Sequence, residues 1–198
     1  MVPTDSPQCY LASTSPRRRQ LLQQLGVTFQ VLPIEIHEVR QVQESAQEYV
    51  TRVALDKARA GWNSPQRIHA CPVLGADTEV VMDDRVFGKP RDREHALEML
   101  GSLSGHCHQV LSGVAIVQGE REKVVLNTSR VCFRQLTEAE IRAYWQTGEP
   151  VGKAGGYAIQ GRAAMFISRL EGSFSGVMGL PLFETAELFS AFGVSMLN

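Results

Sequence analysis

No stretch of this chain of 198 residues is apolar for long enough to cross a bilayer; none approaches the roughly 20 residues that a spanning helix needs. The opening residues 1–5 lack the apolar segment of a secretory leader. Cysteine is scarce and scattered. Its four occurrences, Cys9, Cys71, Cys107 and Cys132, include no C-x-x-C pair, which excludes a zinc-finger pattern and suggests no disulfide framework. These absences point to a reduced, cytoplasmic setting without membrane contact. Neither sign of charge dominates, since 20 Lys and Arg face 21 Asp and Glu. There is then no general field for a polyanion, nucleic acid is not an expected partner, and any basic site must be a local concentration. Gly-Lys-Ser/Thr and G-x-G-x-x-G are both missing. No Ser/His/Asp or Cys/His order stands out, and there are no repeats, low-complexity tracts or linkers.

What is present is ordinary globular composition, 43% hydrophobic and 21% charged, over a length that suits one or two small domains. Residues 9–12 and 28–32 read as strands, with a helix between them that Pro16 opens. Ser45 and Glu48 form a capping box ahead of apolar positions at helical spacing, Tyr49, Val50, Val53, Ala54 and Ala58. Residues 73–75 and 79–82 read as two strands around a bend at Ala76-Asp77-Thr78, and Asp83-Asp84 as a turn. Asp92 caps a further helix. Residues 109–117 and 123–133 are longer strands around a hairpin turn at 118–121. Thr137 and Glu140 make a second capping box, 164–170 reads as a strand, and 181–192 as a last helix. This order is mixed α/β with at least one antiparallel pair, either one cleft-bearing unit or two lobes sharing a sheet.

Several residue groups carry chemistry. In Leu11-Ala12-Ser13-Thr14-Ser15-Pro16-Arg17-Arg18-Arg19, a strand breaks into hydroxyl residues and then a helix N-terminus, where backbone donors and the dipole favour an anion. Three arginines there are electrostatically misplaced unless something negative compensates them. Arg18 shares a face with Leu21, Leu22 and Leu25 and so points inward, where its guanidinium suits phosphate oxygens. A solvated basic helix start would give the same pattern. Asp77 follows an apolar strand with Gly75 and Ala76 clearing space, which suits a metal ligand or a base, and equally a plain turn. Lys57 falls near the apolar face of its helix and Lys89 lies between Gly88 and Pro90; each could meet phosphate or simply reach solvent. Glu38 is either a second carboxylate for a cation or a surface acid. Residues 153–161 hold three glycines around Tyr157 and Gln160, and Gln160 can donate to and accept from a base edge. His106 and His108 alternate as two metal ligands would, but no third ligand is near.

Taken in order, Leu11-Ala12-Ser13-x-Ser15-Pro16-Arg17-Arg18, Glu38, Lys57, Gly75-Ala76-Asp77-Thr78, Gly88-Lys89-Pro90, Lys153-Ala154-Gly155, Tyr157-x-Ile159-Gln160-Gly161 and Gly179-Leu180-Pro181-Leu182 resemble the Maf family of nucleoside triphosphate pyrophosphatases, over residues 8–195. The resemblance implies a single α/β domain like inosine triphosphatase, a mixed sheet with flanking helices and two lobes around a central nucleotide-binding cleft. It implies hydrolysis between the α- and β-phosphates of a nucleoside triphosphate, to the monophosphate and pyrophosphate. A divalent metal cation, Mg²⁺ or Mn²⁺, is the implied cofactor. It places Asp77 as general base and metal ligand, Glu38 as a second metal carboxylate, and Ser13, Arg18, Lys57 and Lys89 around the phosphates. Arg17, Thr78 and Gln160 match the subfamily acting on dTTP and UTP. The subfamily resembling 7-methyl-GTP pyrophosphatases has an aromatic residue, Gln and Glu instead. Phe174 and Gly176 depart from the family's usual Tyr and Asn, so no contact is carried over from that loop. The family's link to division arrest and septum formation gives an alternative, a nucleotide-binding regulator without turnover. A homodimer is the assembly to look for.

Overall fold

The computed structural model describes residues 6–197. Seven strands form one mixed sheet. The first, β1 (Cys9–Leu11), pairs in parallel with β2 (Phe29–Val31) on one side and with the start of β3 (Val73–Met82) on the other. On its far side β3 is antiparallel to β5 (Cys107–Gln118), which continues antiparallel to β6 (Arg121–Phe133) and then β7 (Ile167–Glu171). The short β4 (Arg85–Phe87) folds back on the end of β3 through a turn in which Asp83 and Asp84 both have positive φ, 49° and 62°. Short polar residues tolerate that left-handed turn, whose twist suits a two-residue hairpin.

The bend expected at residues 76–78 is absent. β3 runs straight through because every residue from Val73 to Val81 has a ladder partner on β5. What changes there is the other edge. β1 pairs only with Val73 and Leu74, and β4 only from Val80 onward. Between them residues 75–79 face a fork in the sheet rather than a strand.

Two apolar cores flank that fork. One gathers Leu11, Leu74, Ala76 and Ile116 with α1 (Pro16–Gln24) and α6 (Leu182–Ala191), through Leu21, Leu22, Leu188 and Phe189. The other gathers Val80, Phe87, Val110 and Phe133 with α3 (Arg93–Leu103) and α4 (Glu138–Gln146), through Met99, Leu100, Leu103, Ile141 and Tyr144. The opposite face of the sheet carries α2 (Ala46–Trp62), started by the capping box of Ser45 and Glu48. It lies close because two sheet positions are glycine. A Cβ at Gly75 would stand 2.3 Å from the Ala54 carbonyl oxygen, and one at Gly113 would stand 2.6 Å from that of Val50. This backbone-on-sheet contact sets the height of every α2 side chain above β3.

Three further corrections concern local structure. Residues 164–166 belong to a 3-10 turn (Arg162–Phe166), so the strand begins at Ile167. A short helix, α5 (Phe174–Met178), and β4 add elements that the sequence pattern did not suggest. Cys107 and Cys132 are disulfide-bonded, against the expectation of four free thiols; Cys9 and Cys71 are free. The physical reason is register. The two-residue turn at Gly119-Glu120 sets β5 against β6 so that Cys107 falls directly opposite Cys132, with Cα atoms 3.9 Å apart. No helix among the described residues is long and apolar enough to cross a membrane.

Candidate active site

The fork opens into a cleft of about 640 Å³, lined by every site residue that the family resemblance implies: Ser13, Arg17, Arg18, Glu38, Lys57, Asp77, Thr78, Lys89 and Gln160. They arrive from six separate segments. The loop after β1 turns into α1 at Ser15, whose hydroxyl accepts from the Arg18 amide as helix cap. Ser13 Oγ accepts from the Ser15 amide at 3.2 Å, so the expected cluster of free hydroxyls is partly spent on holding the turn. Arg18 points inward as its helical face requires. Its Nε donates to the Gly179 carbonyl at 2.8 Å, and its terminal nitrogens lie 3.5 Å from Ser13 Oγ and 3.3 Å from Thr78 Oγ1. Burial lowers the Arg18 pKa, with Asp77 and Glu38 opposing that fall.

Thr78 stands behind Arg18 rather than free in the cleft. Its hydroxyl also lies 3.1 Å from Ser112 Oγ, which itself donates to the Gly176 carbonyl at 2.7 Å. β3 thus delivers its side chains to two sides of the fork, Thr78 toward α1 and Asp77 toward α2.

On the α2 side, Lys57 does not reach solvent. It is 8% exposed, and its Nζ lies 2.8 Å from both Asp77 Oδ1 and Glu38 Oε1. Burial pushes the Glu38 carboxyl up, but the hydrogen bond and charge of Lys57 outweigh it and leave the group below its usual range. Asp77 is 5% exposed, and its second oxygen, Oδ2, is buried with no hydrogen-bond partner among the described residues.

The cleft's outer rim carries Lys89 and Gln160, both exposed, and the half-buried Arg17. The Lys89 loop is docked by the Gly155 amide, which donates to the Gly88 carbonyl at 3.1 Å. Gly155 has φ of 67°, and a Cβ there would press on Val80, so this approach requires glycine. Gln160 sits at the tip of a turn closed by the Gly161 amide on the Ala158 carbonyl at 3.0 Å.

The histidine pair is not a metal site. His108 Nε2 lies 2.8 Å from the Tyr157 hydroxyl inside the α3/α4 core, and burial pulls the ring down to about 4. His106 instead turns to the Ser104 carbonyl.

Similarity to known proteins agrees with this arrangement of motifs. The family model for Maf-like proteins matches residues 8–192. The chain belongs to the Maf-like family. Its relatives include proteins named dTTP/UTP pyrophosphatase from Alkalilimnicola ehrlichii, 56% identical over 98% of this chain and 97% of that one, and from Methylococcus capsulatus, 54% identical over 93% and 90%. A third, from Xanthomonas campestris, is 55% identical over 93% of this chain and 98% of its own. The expected mixed sheet with flanking helices around a central cleft is the architecture found in this Maf-like chain.

One residue of the Maf-like cleft was not anticipated. Glu79 lies two positions after Asp77, on the same side of the now continuous β3, and lines the cleft. Its Oε2 is buried without a hydrogen-bond partner among the described residues, and burial, then Asp77 and Glu38, push its carboxyl up to about 8. The signal for it was strand alternation, which the supposed bend at 76–78 concealed. Among the described residues no group of three or more His, Cys, Asp and Glu is arranged to hold a metal ion. Two carboxylates with orphaned oxygens, Asp77 and Glu79, nevertheless fit a hard divalent cation, which commonly takes one or two protein carboxylates and completes its shell with water and substrate phosphates.

Proposed function

We propose that this Maf-like chain is a nucleoside triphosphate pyrophosphatase that hydrolyses dTTP and UTP between the α- and β-phosphates. The observation that carries the reading is Asp77: a buried carboxylate with one oxygen fixed by Lys57 and the other without a partner among the described residues, in a cleft that also presents Arg17, Arg18 and Lys89. The names of the relatives support the substrate class.

The chain's groups divide into three tasks. Arg18 and Lys89, with the Ser13 hydroxyl, bind the phosphates and hold positive charge where negative charge grows on the phosphoryl oxygens. Asp77 orients water and accepts its proton as the oxygen attacks the α-phosphorus and the bond to the bridging oxygen breaks, pyrophosphate leaving. Lys57 holds Asp77 in its orientation through the 2.8 Å contact. Asp77 and Glu79, with Glu38 beyond Lys57, would hold Mg²⁺ or Mn²⁺. Such an ion, when bound, neutralises phosphate charge and makes water more acidic. At the rim, Gln160 can pair with the imide edge of uracil or thymine. Arg17 selects beside it, and Thr78 acts through the guanidinium of Arg18.

The test is pyrophosphate release from a panel of nucleotides with Mg²⁺ or Mn²⁺. UTP and dTTP are expected to give the monophosphate and pyrophosphate. Release of orthophosphate and UDP would reject cleavage at the α–β bond, and tight UTP binding without turnover would support the division-regulator alternative.

A further inference from the structure

The turn that carries Gln160 is anchored at Ile159, which is buried in the α3/α4 core, but Gln160 beside it is exposed and must still keep its amide side chain in place. Both of its ends converge on a single carboxylate outside the catalytic cluster. Glu149 Oε1 and Oε2 accept from the Arg162 amide at 3.0 and 2.9 Å, just past the turn. Glu149 Oε2 also accepts from the Tyr144 hydroxyl at 3.1 Å, and that hydroxyl accepts from the Ala158 amide, at 3.1 Å, where the turn begins. The carboxylate is itself fixed from behind, since the Glu149 amide donates to Thr147 Oγ1 at 3.1 Å.

Gly161 shows how tight the arrangement is. Its φ of −106° is open to any residue, so backbone freedom does not explain the glycine. A Cβ there would lie 2.2 Å from Glu149 Oε2, which does explain it. The same carboxylate lies within electrostatic reach of Lys153, as does Arg17, on the side of the cleft where the base is expected.

We infer that Glu149 is a positioning residue for base recognition, holding the Gln160 turn at both ends through the Arg162 amide and through Tyr144. The inference rests on the proposed nucleotide pyrophosphatase reading. A carboxylate suits the task because it accepts from two donors at once and has no proton of its own to orient. Gln can keep one acceptor but sets an NH₂ against an existing donor.

The experiment compares wild type, Glu149→Gln, Tyr144→Phe and Gly161→Ala for kcat and KM on UTP and GTP, with calorimetric Kd for both nucleotides. Loss of one charge-assisted contact is expected to raise the UTP KM of Glu149→Gln by about 10-fold, with kcat moving less than KM, and to lower the UTP-over-GTP preference by a similar factor. Tyr144→Phe, which cuts only the Ala158 link, and Gly161→Ala, which displaces the carboxylate without removing it, should shift that preference the same way. A merely structural role predicts lower thermal stability with the preference unchanged in all three variants, and that outcome overturns the inference. If wild type releases no pyrophosphate from any nucleotide, the proposed reaction fails instead. The ratio of Kd values then still decides whether Glu149 sets base preference.

Discussion

Replacing Lys57 by Met removes the one ammonium between Asp77 and Glu38 while keeping most of the side-chain volume. Its Nζ is 2.8 Å from each carboxylate, and the pair with Asp77 lies almost wholly out of water. Removing one partner of a buried pair typically costs about 3–5 kcal/mol, because the remaining charge is left uncompensated. Glu38 retains partial access to solvent and contributes little of this, so the expectation is about 3 kcal/mol, the lower end of that range. For a chain of this length that corresponds to roughly 6–12 °C in Tm. The pH dependence gives the stricter check. The folded-state pKa of Glu38 is depressed by Lys57, so its stabilisation is present above the ordinary carboxylate value of 4.5 and is lost as pH falls through the folded value. Wild type should therefore lose the Glu38 share of its advantage over Lys57→Met as pH drops from 7 to below 4.5. Urea denaturation across that range, in chelator, reads both quantities. A difference under about 1 kcal/mol at pH 7, or one that grows toward acid, refutes the view that Lys57 is buried to compensate these carboxylates.

Asp77→Asn is expected to lower kcat for UTP by 10²–10⁴, roughly the range for loss of a general base, with an unchanged circular dichroism spectrum; near-wild-type turnover removes Asp77 from the reaction. Gly75→Ala should lower stability by about 1–3 kcal/mol and depress activity along with it, since the methyl would enter space held by the Ala54 carbonyl and must lift α2, and Lys57 with it. Equal urea midpoints for the two proteins would refute that packing argument. Glu79 has a folded pKa raised from 4.5 to about 8, so the metal-free protein should lose stability as pH rises between those values. Glu79→Gln should flatten that slope and be more stable than wild type at pH 8, by roughly 4 kcal/mol. Parallel stability curves for the two proteins would show that Glu79 is not held in a desolvated place.

Helix boundaries were the most legible part of the fold. Ser45/Glu48 and Thr137/Glu140 announce their helices through side-chain and backbone bonds made within four residues, and both capping boxes are present. The turns at Asp83-Asp84 and at 118–121 were equally local. The reading failed where a residue's conformation depends on a distant partner. Ala76-Asp77-Thr78 resembles a turn in isolation, but the β5 ladder holds it extended. Lys57 would extend to water from an isolated helix; Asp77, twenty residues away, keeps it inside.

The sequence by itself determined which side chains could serve the chemistry, because hydroxyls, guanidinium groups and carboxylates keep their character in any fold. The nine site residues implied by the family resemblance all line one cleft, whereas His106 and His108 lie outside it. Tertiary structure decided how those groups are partnered. It tied Thr78 to Arg18, set Lys57 between two carboxylates and put Cys107 opposite Cys132. Each of these pairings depends on strand register or on the height of α2 above the sheet. Both are fixed by backbone ladders and by glycine contacts between segments remote in the chain, and no local pattern of residues encodes them.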